Sequence, residues 1–181
     1  MTIETERLIM RPWEESDAED LYRIASDPLV GPPADWQPHD SVQHSLGVIR
    51  TVLSSGETYA LVLKETGRPI GCAGIIFPPH ANVPLADGEA EIGYWLGSEY
   101  WGRGLTPEAV KALEIRAFAG LGLSALWCAY FDGNDRSRRV SEKCGFAYVR
   151  SLYGVPSGLG GTRTEHLARL TRAQWETLSP Q

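Results

Sequence analysis

A glycine-rich loop between a strand and a helix constrains this fold more than any other stretch of the sequence. The pattern predicts a strand at 89–97 (EAEIGYWLG), an amphipathic helix at 105–119 and a buried strand at 124–131 (SALWCAYF). A strand–helix–strand connection places its two strands parallel to each other. The three elements therefore predict one parallel strand pair within a mixed sheet.

The rest of the chain alternates helical and strand patterns around this unit. Apolar alternation predicts further strands, and three- to four-residue apolar spacing predicts further helices. The predicted strands lie at 5–13, 58–77 (a hairpin), 146–153 and 162–170, and the predicted helices at 14–28, 41–55, 134–145 and 171–178. This order predicts an α/β (α+β) fold, with a mostly antiparallel sheet and helices on both faces.

Length and composition limit the classes of protein to which the chain can belong. A chain of 181 residues favours one domain, here predicted to span 1–181. The formal net charge of −6, without a basic block, argues against nucleic acid as the main partner. No apolar run approaches the roughly 20 residues of a membrane span, and the first residues lack the apolar core of a signal peptide.

The three cysteines predict a reduced protein without a metal site. Cys72, Cys128 and Cys144 are odd in number, widely spaced and placed inside apolar segments. They form no C-x-x-C pair and have no histidine at a zinc-like spacing. We therefore expect buried free thiols and a cytoplasmic location.

The loop WGRGLT, residues 101–106, has the chemistry of an anion cradle. The first N–H groups of a helix have no intrahelical acceptor, and the helix dipole favours an anion beside them. Gly102 and Gly104 lack the Cβ atoms that would keep an anion away, while Arg103 adds positive charge. The Walker pattern G-x-x-x-x-G-K-[ST] is absent from the sequence. The dinucleotide fingerprint G-x-G-x-x-G does not fit either, because Pro107 stands where it needs its third glycine.

Three motifs in order resemble the GNAT acetyltransferase superfamily. They are ETERLIMRPWEESDAEDLY at the start, EIGYWLGSEYWGRGLTPEAVKAL in the middle and NDRSRRVSEKCGF after it. The closer resemblance is to the branch that includes ribosomal-protein N-terminal alanine and serine acetyltransferases. It implies a central sheet of about seven strands with a splayed parallel pair. Thr106 departs from the family loop, which usually has glycine or alanine there.

The resemblance implies acetyl-CoA as co-substrate and assigns residues to it. In that family, backbone groups of the strand pair with pantetheine, the loop takes the pyrophosphate, and the next helix lies beside the thiol and the 3′-phosphate. The positions in this sequence are Tyr94, Trp95, Leu96, Gly102, Arg103, Gly104, Leu105, Thr106, Asn134, Ser137, Arg138 and Lys143. Arg136 and Arg139 are further candidates for the 3′-phosphate, and Asn134 also suits a plain N-cap.

The implied reaction is direct attack of a primary amine on the thioester. Ser137 is the candidate donor to the departing thiolate, and Glu91 is the first choice for the general base. Glu89, which has the same strand parity, is the second choice, and His80 and His166 are rivals. A chain of solvent molecules is the remaining route for the proton.

The resemblance implies that the acceptor is a primary amine, either a peptide or protein N-terminus or a small molecule. Loops 29–40, 78–88 and 154–161 are expected to border its cleft, with Trp36, His39 and Tyr153 as lining candidates. Asp87 and Glu89 would favour a cation there. The alternative is a non-catalytic acyl-CoA-binding module, and a homodimer is possible with either.

Overall fold

The computed structural model describes residues 1–178, and these form one eight-stranded sheet with five α-helices. The strand order is β1-β2-β3-β4-β5-β6-β8-β7. The strands are β1 (Ile3–Glu4), β2 (Leu8–Arg11), β3 (Thr58–Leu63), β4 (Arg68–Ile76), β5 (Glu89–Leu96), β6 (Ala125–Phe131), β7 (Ala147–Pro156) and β8 (Thr162–Thr171). The mixed α/β prediction is confirmed, with β1 as the strand that the sequence pattern did not reveal.

Four of the five helices begin within one residue of their predicted starts, and the first helix begins four residues late. They are α1 (Ala18–Ala25), α2 (Val42–Thr51), α3 (Leu105–Ile115), α4 (Asp135–Lys143) and α5 (Arg172–Leu178). The helix predicted at 105–119 keeps α-helical geometry only to Ile115 and continues as a π-helical turn, Arg116–Gly120. None of the helices in residues 1–178 is long and apolar enough to cross a membrane.

The chain separates into two compact units, and the first comprises Met1–Gly74 together with Tyr94–Ala109. Its strands β1 to β4 are antiparallel, with Leu8 opposite Leu63 and Ala60 opposite Cys72. Helices α1 and α2 bury their apolar faces, including Leu21 and Ile49, in one cluster with residues of these strands. Removing such side chains from water is the main stabilising term of the unit.

The second unit comprises Ile75–Gly93 and the chain from Val110 onward. Here β5 pairs with β6 in parallel, from Glu89 opposite Ala125 to Ile92 opposite Cys128. This register ends at Ile92, although β5 itself continues to Leu96, as a splayed pair requires. Strands β6, β8 and β7 continue the sheet as antiparallel neighbours.

The prediction of buried free thiols is confirmed for Cys72, Cys128 and Cys144. Burial raises the pKa of Cys72 and of Cys144 to about 12. Both thiols therefore stay protonated near neutral pH and serve as small apolar core residues.

Candidate active site

The loop before α3 has the backbone of an anion-binding nest. Gly102 and Gly104 adopt φ of +76° and +75°, whereas Arg103 between them does not have a positive φ. Backbone that alternates in this way turns consecutive N–H groups toward one point. All three residues are exposed, so an anion from solvent can reach them.

The first turn of α3 adds its own donors to this loop. The Glu108 N–H donates to the Gly104 carbonyl at 3.3 Å, which makes Gly104 the N-cap of α3. Pro107 has no N–H to leave unsatisfied. Leu105 and Thr106 are buried, so the exposed part of the predicted cradle is Gly102–Gly104.

A partly buried carboxylate, which no local sequence pattern revealed, braces the loop. Glu108 accepts hydrogen bonds from the Thr5 hydroxyl at 2.5 Å, the Arg7 N–H at 2.8 Å and the Arg7 guanidinium at 2.7 Å. The same guanidinium donates to the Arg103 carbonyl at 2.8 Å. The turn between β1 and β2 therefore fixes the middle of the glycine loop.

The Glu108 site predicts a loss of stability in acid. Burial alone would raise the pKa of Glu108, but the hydrogen bonds from Thr5 and Arg7 outweigh it and lower the pKa. A lowered folded-state pKa stabilises the protein above the unfolded-state value, and this contribution disappears as pH falls through the folded-state value. Glu108→Gln should lower the free energy of unfolding at pH 7 by about 2 kcal/mol.

Urea denaturation at pH 7 and pH 4 measures this effect. The difference between Glu108→Gln and the parent should begin to shrink at pH 4, because the unfolded parent then binds a proton that the lowered folded-state pKa keeps off Glu108 in the native protein. Glu19→Gln, at an exposed position in α1, is the matched control. Equal stability of Glu108→Gln and the parent at pH 7 contradicts the bracing role.

The end of β5 is joined to the same loop through Trp101. Its indole N–H donates to the Leu96 carbonyl at 2.8 Å, which leaves that oxygen one further acceptor position. Tyr94 and Trp95 are partly exposed, and the Trp95 ring stacks on Trp13 with centroids 6.3 Å apart. The strand and loop candidates therefore all lie in the first unit.

The helix candidates lie in the second unit, on α4. Asn134 is an N-cap, because its side-chain oxygen accepts from the Ser137 N–H at 3.2 Å. Arg138 bonds to the carboxylates of Asp135 and Glu142 at 3.1 Å and 3.0 Å, and Lys143 is exposed. The N-cap interpretation of Asn134 is therefore confirmed, and its cofactor role stays a prediction.

Glu91 and Glu89 differ sharply although both lie on β5. Glu91 is 4% exposed and accepts from the Asn82 backbone N–H at 2.6 Å. Burial raises the pKa of Glu91, against the hydrogen bonds of Asn82 and Val83. A carboxyl group whose pKa moves toward neutrality is suited to proton transfer.

Glu89 is instead held as an anion. It pairs with Arg169 and accepts from the Trp127 indole N–H at 2.7 Å. Burial opposes ionisation, but the hydrogen bonds from Trp127, Arg169 and the Ala86 backbone outweigh it and lower the pKa of Glu89. Because Arg169 neutralises this buried carboxylate, Glu89 is a poor base and a poor attractor of cations.

The remaining candidates occupy different environments. In the first unit, Trp36 packs on Trp95 with centroids 5.7 Å apart, and His39 is buried against Ser45. Burial lowers the pKa of His39 to about 4, so this imidazole is neutral at physiological pH. In the second unit, Tyr153 is 81% exposed and His80 is exposed, while His166 is bonded on both ring nitrogens.

The family model for the acetyltransferase (GNAT) domain matches residues 7–147 of this chain. The chain belongs to the GNAT acetyltransferase family. N-acetyltransferase p20 of Bacillus licheniformis is 34% identical over 150 residues, covering 80% of this chain and 82% of that protein. The enzyme is therefore an acyltransferase, of a family that uses acetyl-CoA as co-substrate.

Solved structures agree with this assignment at the level of fold. A GNAT-family acetyltransferase from Bacillus anthracis has a TM-score of 0.79 at 20% identity, covering 96% of this chain and 99% of that one. Ribosomal-protein-S5-alanine acetyltransferase from Vibrio fischeri has a TM-score of 0.72 at 21% identity, covering 97% and 98%. The resemblance inferred from the three motifs is confirmed.

Proposed function

We propose that this GNAT enzyme is an acetyl-CoA-dependent N-acetyltransferase that acts on a primary amine, with residues 1–181 forming one catalytic domain. The observation that carries the proposal is the exposed Gly102–Gly104 nest directly before α3. Its converging N–H groups and the helix dipole suit a diphosphate. The bracing of Arg103 and Glu108 by Arg7 keeps this geometry in place before a ligand arrives.

The proposed cofactor contacts come from β5 and the glycine loop, and from the start of α4. The pyrophosphate is assigned to the backbone of Gly102 to Thr106, and the pantetheine arm to the backbone of Tyr94, Trp95 and Leu96, as an added strand. Asn134 and Ser137 are assigned to the thiol end. Arg138 and Lys143 are assigned to the 3′-phosphate, for which Arg138 would exchange its present carboxylate partners.

The proposed chemistry needs two proton transfers besides the attack. An ammonium acceptor loses one proton to become a nucleophile and a second after the carbon–nitrogen bond forms. We assign Glu91 as the proton acceptor, acting through water because its carboxylate is 4% exposed. Ser137 is assigned as the hydroxyl that donates a hydrogen bond to the departing thiolate.

The Glu91 assignment predicts a changed pH–rate profile. Protonation of Glu91 should reduce kcat/KM at low pH, and its raised pKa places this decline above the range of an ordinary glutamate. Glu91→Gln should lower kcat about 100-fold and remove the decline. Steady-state rates from pH 5 to 9 measure the profile, with Glu176→Gln, at an exposed position, as the control. A pH–rate profile of Glu91→Gln that matches the parent's would mean that solvent, not Glu91, accepts the proton.

A peptide or protein N-terminus is the acceptor class that we propose. The support is the sequence resemblance to the ribosomal-protein branch, together with the fold shared with an enzyme named for alanine acetylation of ribosomal protein S5. Asp87, which is exposed, supplies negative charge on the 78–88 loop for a cationic amine. Glu89 cannot contribute, because Arg169 neutralises it.

An acceptor screen with thiol detection tests the function. Acetyl-CoA is mixed with the enzyme and with peptides that have free N-termini, matched N-acetylated peptides, polyamines and free amino acids. Thiol release with the free peptides alone supports the proposal. Thiol release only with polyamines or amino acids would contradict a peptide acceptor and identify a small amine as the substrate. Binding of acetyl-CoA without any thiol release would support the non-catalytic alternative.

A further inference from the structure

A cleft in the second unit carries a chain of polar side chains that the acetyl-transfer scheme does not use. Its volume is about 320 Å³, and its walls come from β6, β7, β8 and the start of α4. Four of the lining residues form the polar chain: Tyr148, Ser151, His166 and Asp132.

The strand register explains why these side chains meet. Tyr130 on β6 and Ser151 on β7 both lie directly opposite His166 on β8, so all three point to one face of the sheet. Tyr148 and Ser151 are three residues apart and would normally face opposite sides. A bulge between Tyr148 and Arg150 adds one residue and brings Tyr148 to the side of Ser151.

The hydrogen bonds along this chain have one consistent direction. His166 Nε2 lies 3.3 Å from a carboxylate oxygen of Asp132, which can only accept, so Nε2 carries the proton. In this tautomer Nδ1 accepts from the Ser151 hydroxyl, 2.8 Å away. The Tyr148 hydroxyl, 2.9 Å from Ser151 Oγ, donates to that oxygen.

Asp132 is held in place by a backbone hydrogen bond, and both Asp132 and His166 remain accessible to solvent. The Asp132 N–H donates to the Thr164 carbonyl at 3.0 Å, which continues the β6–β8 pairing past the end of β6. The Asp132 carboxylate is 77% exposed and the His166 ring 22% exposed. Arg138, half exposed, places a guanidinium on the same cleft.

We propose that Ser151 is an activated nucleophile that takes acyl groups from small activated esters or thioesters. A base beside a serine hydroxyl, oriented by a carboxylate, is the arrangement that makes serine nucleophilic. Ser151 Oγ attacks the acyl carbon and its proton passes to His166 Nδ1, which gives that proton to the alcohol or thiol leaving group as the bond to the acyl carbon breaks. Water then attacks the acyl-serine and its proton passes to His166 Nδ1. His166 returns this proton to Ser151 Oγ as the acyl–oxygen bond breaks and the carboxylic acid leaves.

The test uses p-nitrophenyl acetate, which does not depend on acetyl-CoA or on an amine. Stopped-flow absorbance should show a nitrophenolate burst, and peptide mass mapping after acid quench should find the acetyl group on Ser151. Ser151→Ala should abolish the burst, and His166→Gln should slow acylation about 100-fold. Asp132→Asn should slow it about tenfold, because an amide can donate to Nε2 and disturb the tautomer.

Ser54→Ala, at an exposed serine in the first unit, is the matched control and should keep the full burst. Circular dichroism of each variant checks that it is folded. The test depends mainly on Ser151→Ala, which removes a single hydroxyl oxygen and is the variant least expected to disturb folding. The proposal is overturned if the burst persists in folded Ser151→Ala, or if mapping places the acetyl group on lysines and the N-terminus but not on Ser151.

Discussion

Replacing Gly104 with valine is expected to abolish acetyl-CoA binding, with affinity lowered at least about 100-fold. The φ of Gly104 is +75°, a conformation that a β-branched residue rarely adopts. The residue can relieve this strain only by turning its peptide groups, which disperses the N–H groups of the nest. A valine side chain would also occupy the exposed space in which the diphosphate is proposed to lie.

The variant should nevertheless fold. Gly104 is exposed, and a Cβ built on it meets only the Arg7 guanidinium nitrogen, at 3.7 Å. Strain of about 1–3 kcal/mol at one loop residue is small enough for a domain of ordinary stability to tolerate. Loss of binding in a folded protein would therefore come from the loop geometry.

Gly67→Val is the matched control for this prediction. Gly67 lies in the turn between β3 and β4 with φ of +68°, and a Cβ there meets nothing within 4 Å. It should suffer similar backbone strain and keep the parent's affinity in calorimetric titration with acetyl-CoA. If Gly104→Val and Gly67→Val bind acetyl-CoA with equal affinity, the glycine loop is not part of the cofactor site.

Local patterns predicted the loop but not what holds it. The strand, the glycine loop and the helix are consecutive in the sequence, so a local pattern is enough to predict them. The loop geometry follows from its two glycines and from the start of the helix. The bonds from Thr5 and Arg7 to Glu108 join residues about a hundred positions apart. The acidic residue in the first turn of α3 was visible as a helix-dipole partner, but its ion pair depends on a sheet register that the sequence does not reveal.

Strand parity shows the same limit for Glu89 and Glu91. Their spacing predicted the same orientation for both side chains. Glu89 is nevertheless neutralised by Arg169 from β8, whereas Glu91 is buried and accepts a hydrogen bond from the backbone of Asn82 in a loop. Parity fixes the side of a sheet, whereas pKa depends on neighbours that arrive from distant segments. The contact between Tyr148 and Ser151 was hidden for the same reason, since it requires the bulge in β7.

Glu114 on α3 predicts the opposite pH dependence to Glu108. The residue is 4% exposed, and its Oε1 atom has no hydrogen-bond partner among the residues that the structure describes. Burial raises the pKa of Glu114 to about 8, with Lys111 acting weakly against it. The folded protein therefore keeps this proton from acid to neutral pH, whereas the unfolded chain releases it near the ordinary pKa of glutamate.

Because the folded state binds the extra proton, stability falls as pH rises from about 4.5 toward 8 and then levels off. Between pH 5 and pH 7.5 this one group should remove about 3 kcal/mol from the free energy of unfolding. Glu114→Gln cannot ionise and should lose that decline, while Glu176→Gln, exposed on α5, should keep it. Urea denaturation across this pH range measures the three slopes. Parallel slopes for the parent and Glu114→Gln would show that Glu114 ionises in the folded protein. Only a carboxyl group that stays protonated in the folded state releases a proton on unfolding in the parent and not in the variant.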